Sequence, residues 1–280
     1  MFGLIFFMFV QIITESFPIS SSGHWALFQK MFHIKLPVDI IEAFDFFAHL
    51  PTVLIIIIFF RNEWGALLWR ALFHWRYKDS YKRLWKILFK IMGLTIISAL
   101  LITGTFHVLL KPFLRNYTYI YKEYFLIIGF LITAVSLFSL YIKNQTESDE
   151  PYEKWNLKKT IILGLVQGCA YLLPGVSRLA TTYVAARWLK MSPRRSFEIS
   201  FLLSFFLFAI AGLKGTYQVV TSSYAHVLLT ADMWFVTVCA TIFGYAGLYV
   251  VWRCAIAKKF WLFGVYEILP LIVSLLFLFF

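Results

Sequence analysis

The chain has 280 residues, 61% hydrophobic and 20% aromatic but only 14% charged, with a mean hydropathy of +0.77. Soluble domains carry about a quarter charged residues, so the composition excludes an ordinary soluble protein and points to a polytopic membrane protein. The formal net charge of +12 would suit nucleic acid, but the basic residues fall in short loops between apolar runs. That is the placement the positive-inside rule produces, and it argues against nucleic-acid binding.

In chain order, the first apolar run, about 2–13, is too short to cross and flows directly into QIITESFPISSSGHW, so no cleavable signal peptide is expected. Runs at about 43–60, 86–109 and 124–142 are long enough to span the bilayer core. The polar stretch 143–159 then reads as a linker. A second short run, about 161–173, breaks at LLPGVSR, and three further spans are predicted at 197–216, 233–252 and 260–280. A half-length helix, a break and a second half-length helix is the pattern of a re-entrant hairpin. Irregular backbone at that depth is tolerated only when buried in protein or lining a wet cavity. Cys169, Cys239 and Cys254 are scattered without metal or disulfide spacing and read as packing residues.

Loop charge orients the chain. The basic segment 61–90 belongs in the cytoplasm. Counting spans from it places the first broken segment as entering from outside and the second from the cytoplasm. Val10-Gln11 and Pro18 recur as Val166-Gln167 and Pro174 at an offset of 156, which sets Ser21 against Ser177 and Ser22 against Arg178. The predicted fold is therefore all-α, with six transmembrane helices and two re-entrant hairpins in an inverted-topology repeat. The first half is 1–142, with its hairpin at 2–36; the linker is 143–159; the second half is 160–280, with its hairpin at 160–190. Such repeats place their site near the midplane, where the broken helices meet.

The polar residues in the two breaks carry the chemistry. Gln11 and Glu15 are four apart, on one helix face. The first break adds Ser20, Ser21, Ser22, Gly23 and His24; the second adds Gly175, Ser177 and Arg178, followed by Thr181 and Thr182. A guanidinium matches phosphate oxygens bidentately, and free N–H groups at helix ends attract anions. Glu15 would repel a bare anion but makes sense if a divalent cation bridges it to phosphate oxygens. His24 has the side chain for proton transfer near neutral pH. The residues alone thus point to phosphate binding or phosphoryl chemistry in a membrane cavity. Ordinary readings exist too, since serines in membrane helices often bond back to the backbone. Glu198 reads as an ion-pair partner of Arg194 or Arg195. Glu42, Asp45 and His49 form a second polar set near the outer end of the first long span, where Asp45 reads as cavity lining or, at least as well, as packing or interface solvation. Glu267 has no assigned role.

QIITESFPISSSGH resembles the (E/Q)xxxE and PxSSxGH region of the undecaprenyl-diphosphate phosphatases, the BacA/UppP family, and QGCAYLLPGVSRLATT resembles that family's PGxSRSGxT signature. The resemblance implies a multi-pass enzyme of the bacterial cytoplasmic membrane. It would hydrolyse undecaprenyl diphosphate to the monophosphate, recycling the lipid carrier for peptidoglycan, with its site opening outward. By position, Gln11 and Glu15 match the carboxylate pair and would hold a divalent cation, Mg²⁺ or Ca²⁺, with Glu15 the metal or acid–base residue. Ser20, Ser21, Gly23 and His24 match the first loop, and Ser177, Arg178 and Thr182 the second, where the arginine would hold the diphosphate. Glu15, Ser21, His24 and Arg178 form the expected catalytic set, with Gln11, Ser20, Ser22, Gly23, Gly175, Ser177 and Thr182 binding phosphate. Whether Ser21 or His24 attacks phosphorus, or water does, is open at this point, with Ser21 the candidate nucleophile. Leu179-Ala180 departs from the family's Ser-Gly, which implies an altered pocket. The expected partners are a polyprenyl diphosphate and the bilayer, with a homodimer left open. The rival function is a polyprenyl-phosphate flippase using the same residues without hydrolysis.

Overall fold

The computed structural model describes residues 2–34, 36–62, 122–146 and 156–279, with positions 93, 96–97, 100–102 and 104–105 between them. The predicted span at 86–109 and the loops at 61–90 and 111–123 lie largely outside those residues. Every element among the described residues is helical. They are α1 (Phe2–Thr14), α2 (Ser21–Met31), α3 (Val38–Phe59), α4 (Lys122–Thr146), α5 (Leu157–Leu172), α6 (Arg178–Trp188), α7 (Pro193–Thr221), a short 3₁₀ turn (Ala225–Leu229), α8 (Ala231–Ile256) and α9 (Leu262–Phe279).

Four of these, α3, α4, α7 and α8, are long and apolar enough to cross a membrane. They match four of the predicted spans, and the protein is a multi-pass membrane protein. The predicted 260–280 run forms α9, apolar but shorter. Helix α4 continues to Thr146, four residues into the stretch read as linker, because Lys143-Asn144-Gln145-Thr146 lacks the proline or glycine that would stop it. The expected pairing of Arg194 with Glu198 is present, with Nε to Oε1 at 2.9 Å one helical turn apart.

Both broken segments form as helix, break, helix. Helix α1 has 13 residues, about 20 Å at 1.5 Å per residue, against a hydrocarbon core of about 30 Å. Each following helix is 11 residues long and begins at a serine cap: Ser20 Oγ accepts from Gly23 N, and Ser177 Oγ accepts from Ala180 N. The caps pair Ser20 with Ser177, one position away from the register that the offset of 156 predicts. In cap register Ser21 stands opposite Arg178.

The two breaks touch. A Cβ on Gly23 would lie 2.8 Å from Gly175 Cα, and Gly175 itself has φ +88 with Leu126 O only 2.6 Å from where its Cβ would be. Both positions need glycine, one for close approach and one for its left-handed backbone. Thr133 of α4 pins the second break: its Oγ1 accepts from Ser177 N at 3.0 Å and lies 3.0 Å from the Gly175 carbonyl.

Around these breaks, α3 packs on α7, α9 on α4 and α1 on α8. Glycines allow the closest of these approaches: at Gly212 of α7 an added Cβ would stand 2.7 Å from Leu50 Cδ2 of α3. The core beneath is aromatic, with Phe7, Phe44, Phe60, Phe197 and Phe201 buried and Tyr183 stacked on Phe260 at 3.9 Å.

Candidate active site

The first turns of α2 and α6 converge on a cavity of about 800 Å³ lined by Gln11, Glu15, Ser20, Ser21, Ser22, Asp45, His49, Gln167, Ser177, Arg178, Phe208 and Lys214, among others. Two helix N-termini facing one cavity give it the positive ends of two helix dipoles and backbone donors suited to an anion.

Glu15 is the hub. Its Oε1 accepts from Ser21 Oγ at 2.7 Å and from Gln11 Nε2 at 3.2 Å. Arg178 NH2 stands 3.8 Å from the same oxygen and His49 Nδ1 3.9 Å. Glu15 is buried while the Arg178 side chain is 24% exposed, so the guanidinium forms the cavity-facing side of this pair. Gln11 Nε2 also donates to Asp45 Oδ1 at 2.6 Å, placing a second carboxylate on the other side of one amide nitrogen. A hydroxyl hydrogen-bonded to a carboxylate, with a guanidinium beside it, is the arrangement that a nucleophile, its base and an oxyanion-binding group require.

Of the residues singled out from sequence, Gln11, Glu15, Ser20, Ser21, Ser22, Ser177 and Arg178 line the cavity. The other four stand behind it. Gly23 and Gly175 form the contact between the breaks. Thr182 Oγ1 donates to the Arg178 carbonyl at 2.7 Å within the first turns of α6. His24 is buried between Phe130 and Tyr266. Its Nδ1 lies 2.7 Å from Ser20 O and its Nε2 2.9 Å from Tyr266 Oη. A carbonyl can only accept, so Nδ1 carries a proton and donates to it. His24 therefore ties the Ser20 turn to α9.

Asp45 and His49, weighed in the sequence as one of two equal readings, line the cavity, and Phe208 and Gln167 joined them without having been singled out. The available signal was the spacing Glu42, Asp45, His49, which puts all three near one face of α3. Glu267, left without a role, is fully buried.

The donor set suits a hard divalent cation. Glu15 and Asp45 supply carboxylates, and Gln11 Oε1 is buried with no hydrogen-bond partner among the described residues. Among those residues no three His, Cys, Asp or Glu side chains gather into a closed metal cage. A cation held by Glu15 and Gln11 would take its other ligands from water or substrate oxygens, as Mg²⁺ commonly does.

Residues 4–273 match the family model described as Bacitracin resistance protein BacA. The chain belongs to the BacA family. Relatives carry a specific name. An undecaprenyl-diphosphatase of Borrelia recurrentis (strain A1) is 31% identical over 199 residues, 69% of this chain and 68% of that protein. Undecaprenyl-diphosphatase 2 of Bacillus thuringiensis (strain Al Hakam) is 32% identical over 197 residues, 69% of this chain and 67% of the relative. In this BacA-family chain, the cavity's carboxylate–serine pair comes from the first break and its arginine from the second.

Proposed function

We infer that this chain hydrolyses undecaprenyl diphosphate to undecaprenyl phosphate and inorganic phosphate in the bacterial cytoplasmic membrane. The observation that carries the reading is the Ser21–Glu15 hydrogen bond of 2.7 Å with Arg178 beside it, 3.8 Å from the same carboxylate oxygen, in a cavity at the meeting of two helix N-termini. Family membership and the names of its relatives point the same way.

Arg178 and the N-terminal amides of α2 and α6 bind the terminal phosphate. Ser21 Oγ attacks that phosphorus as Glu15 takes its proton; the bond to the bridging oxygen breaks and the lipid monophosphate leaves. Water then attacks the phosphoserine phosphorus, giving its proton to Asp45, while the bond to Ser21 Oγ breaks, Ser21 Oγ takes back the proton held on Glu15, and phosphate departs. Glu15 and Gln11 hold a divalent cation, which when bound neutralises charge on the phosphate oxygens. His24 keeps the Ser20 turn in place.

The architecture that supports this is two inverted halves. Each half contributes one re-entrant hairpin, α1–α2 and α5–α6, and three spans, with 86–109 supplying the one that lies largely outside the described residues. The packing of α3 on α7 and of α4 on α9 pairs corresponding elements of the two halves, as a pseudo-two-fold requires. By loop charge the cavity opens to the outer face.

The test is phosphate release from a polyprenyl diphosphate by purified protein, with and without Mg²⁺ or Ca²⁺. Release that depends on Ser21 and Arg178 is the expected result. Folded protein that moves polyprenyl phosphate between vesicle leaflets while releasing no phosphate would overturn hydrolysis in favour of transport.

A further inference from the structure

Gln167 lies on α5, 1% exposed, and lines the same cavity as Arg178. Neither its Nε2 nor its Oε1 has a hydrogen-bond partner among the described residues. A carboxamide offers two donors and an acceptor with two lone pairs, and leaving buried polar groups without partners costs their full desolvation. Such a group in a native structure calls for an explanation.

The comparison with Gln11 supplies one. The two glutamines occupy matching places before the breaks, each seven residues ahead of its break proline, Pro18 or Pro174, where the offset of 156 holds. Gln11 is followed four residues later by Glu15, which takes its amide hydrogen at 3.2 Å. Gln167 is followed four residues later by Tyr171, which is exposed and also lines the cavity. The carboxylate that satisfies the first amide has no counterpart for the second, so the hydrogen-bonding capacity of Gln167 is left to whatever fills the cavity. That occupant has to bring both an acceptor and a proton. A phosphate oxygen beside Arg178 is the acceptor; the proton comes from a protonated phosphate oxygen or a water held on it.

We propose that Gln167 is a ligand-contacting residue: its Nε2 donates to a phosphate oxygen of the substrate, and its Oε1 accepts from a proton-bearing oxygen, the water or the protonated phosphate. This deepens the diphosphatase reading and rests on it.

The experiment compares wild type, Gln167→Leu and Gln167→Glu in detergent. Each is melted and titrated with a non-hydrolysable isoprenyl methylene-bisphosphonate, with pyrophosphate and with inorganic phosphate, and then assayed for release. Replacing an unpaired amide by an apolar group of similar size is neutral or stabilising in the empty protein. Gln167→Leu should therefore melt no lower than wild type, yet bind the bisphosphonate about 10- to 100-fold more weakly, the range of one hydrogen bond to a charged group. Gln167→Glu keeps the shape but replaces the donor with a negative charge, and should bind more weakly still. Should Gln167→Leu fold poorly, the isosteric Gln167→Glu alone decides: weakened binding sustains the proposal. Bisphosphonate affinity within twofold of wild type in either folded variant overturns it. A lowered melting temperature of Gln167→Leu with affinity retained also overturns it, because the amide then serves the fold. The pyrophosphate and phosphate arms show whether the headgroup alone is recognised or the lipid must accompany it. Wild type that binds the bisphosphonate but releases no phosphate would refute the hydrolase reading and leave the binding comparison intact.

Discussion

The guanidinium carbon of Arg178 lies 5.2 Å from the ring centroid of Phe208, and the His49 imidazole stacks on the same ring at 4.7 Å. One aromatic ring on α7 therefore backs both the guanidinium and the imidazole that face Glu15. A cation over a ring face gains about 0.5–2 kcal/mol depending on desolvation, so Phe208→Leu should raise KM about 3- to 30-fold with a smaller effect on kcat. Phe208→Trp should retain most activity. Stepwise fluorination of the ring at this position drains its negative face at nearly constant shape; binding should weaken with each fluorine. Equal binding across that series would show that Phe208 only fills space.

Ser21 and Glu15 act as a unit if the 2.7 Å hydrogen bond is that of a nucleophile and its base. Groups of this kind are strongly non-additive when removed. Ser21→Ala and Glu15→Gln should each reduce single-turnover phosphate release at least a thousandfold, on the order seen for catalytic units, and the double variant should be no worse than either. Multiplying losses in the double variant would mean that the two side chains contribute separately.

The seating of the second break on α4 makes a prediction about stability. In Gly175→Ala the new Cβ would meet Leu126 O at 2.6 Å at a residue with φ +88, costing roughly 2 kcal/mol or more from strain and crowding. Thr133→Val would leave Ser177 N–H and the Gly175 carbonyl without their hydroxyl, costing about 1–3 kcal/mol. Thermal unfolding in detergent should show both losses. A wild-type melting temperature for Gly175→Ala would mean that the second break does not rest on α4.

Much of the site could be read in the sequence because membrane proteins make polar residues expensive. Glu15, Ser21 and Arg178 stand out in an apolar chain, and prolines beside them mark where the helices stop. Asp45 and His49 were harder, because polar residues near the end of a span are what interface solvation also produces. Only the packing of α3 on α7 turns them toward Glu15. Phe208 carried no signal, being one of 31 phenylalanines. His24 was visible as an ionisable group, but its direction is set by Tyr266, 242 positions away. The register of the repeat slipped by one because matching identical letters ignores caps, and it is the cap serines that fix where α2 and α6 begin.

Gln11 donates to two carboxylates at once, and that makes the cation testable through one residue. Gln11→Glu would put a third carboxylate between Glu15 and Asp45, deepening the local negative field. Divalent affinity rises with carboxylate count, so the Mg²⁺ or Ca²⁺ concentration for half-maximal release should fall. Gln11→Leu should raise it. Chelation should abolish release by wild type and readdition restore it; full activity after exhaustive chelation would remove the cation from the mechanism.

The Leu179-Ala180 pair, where the family pattern has Ser-Gly, behaves in the fold as part of the core. Ala180 has no exposed surface and Leu179 is 8% exposed, while the Ala180 N–H completes the Ser177 cap at 3.2 Å. Converting Leu179 to Ser removes buried apolar surface at a cost of about 2–4 kcal/mol. Converting Ala180 to Gly in a helix adds about 0.5–1 kcal/mol. Neither change touches Arg178, the Ser177 cap or Glu15. The double variant should therefore melt well below wild type while keeping release per folded molecule within about threefold, a single hydrogen bond's worth at most. Leu179 also borders the cavity, which supplies the contrary outcome. An unchanged melting temperature with a large gain in turnover would show that its side chain obstructs substrate instead of supporting the core.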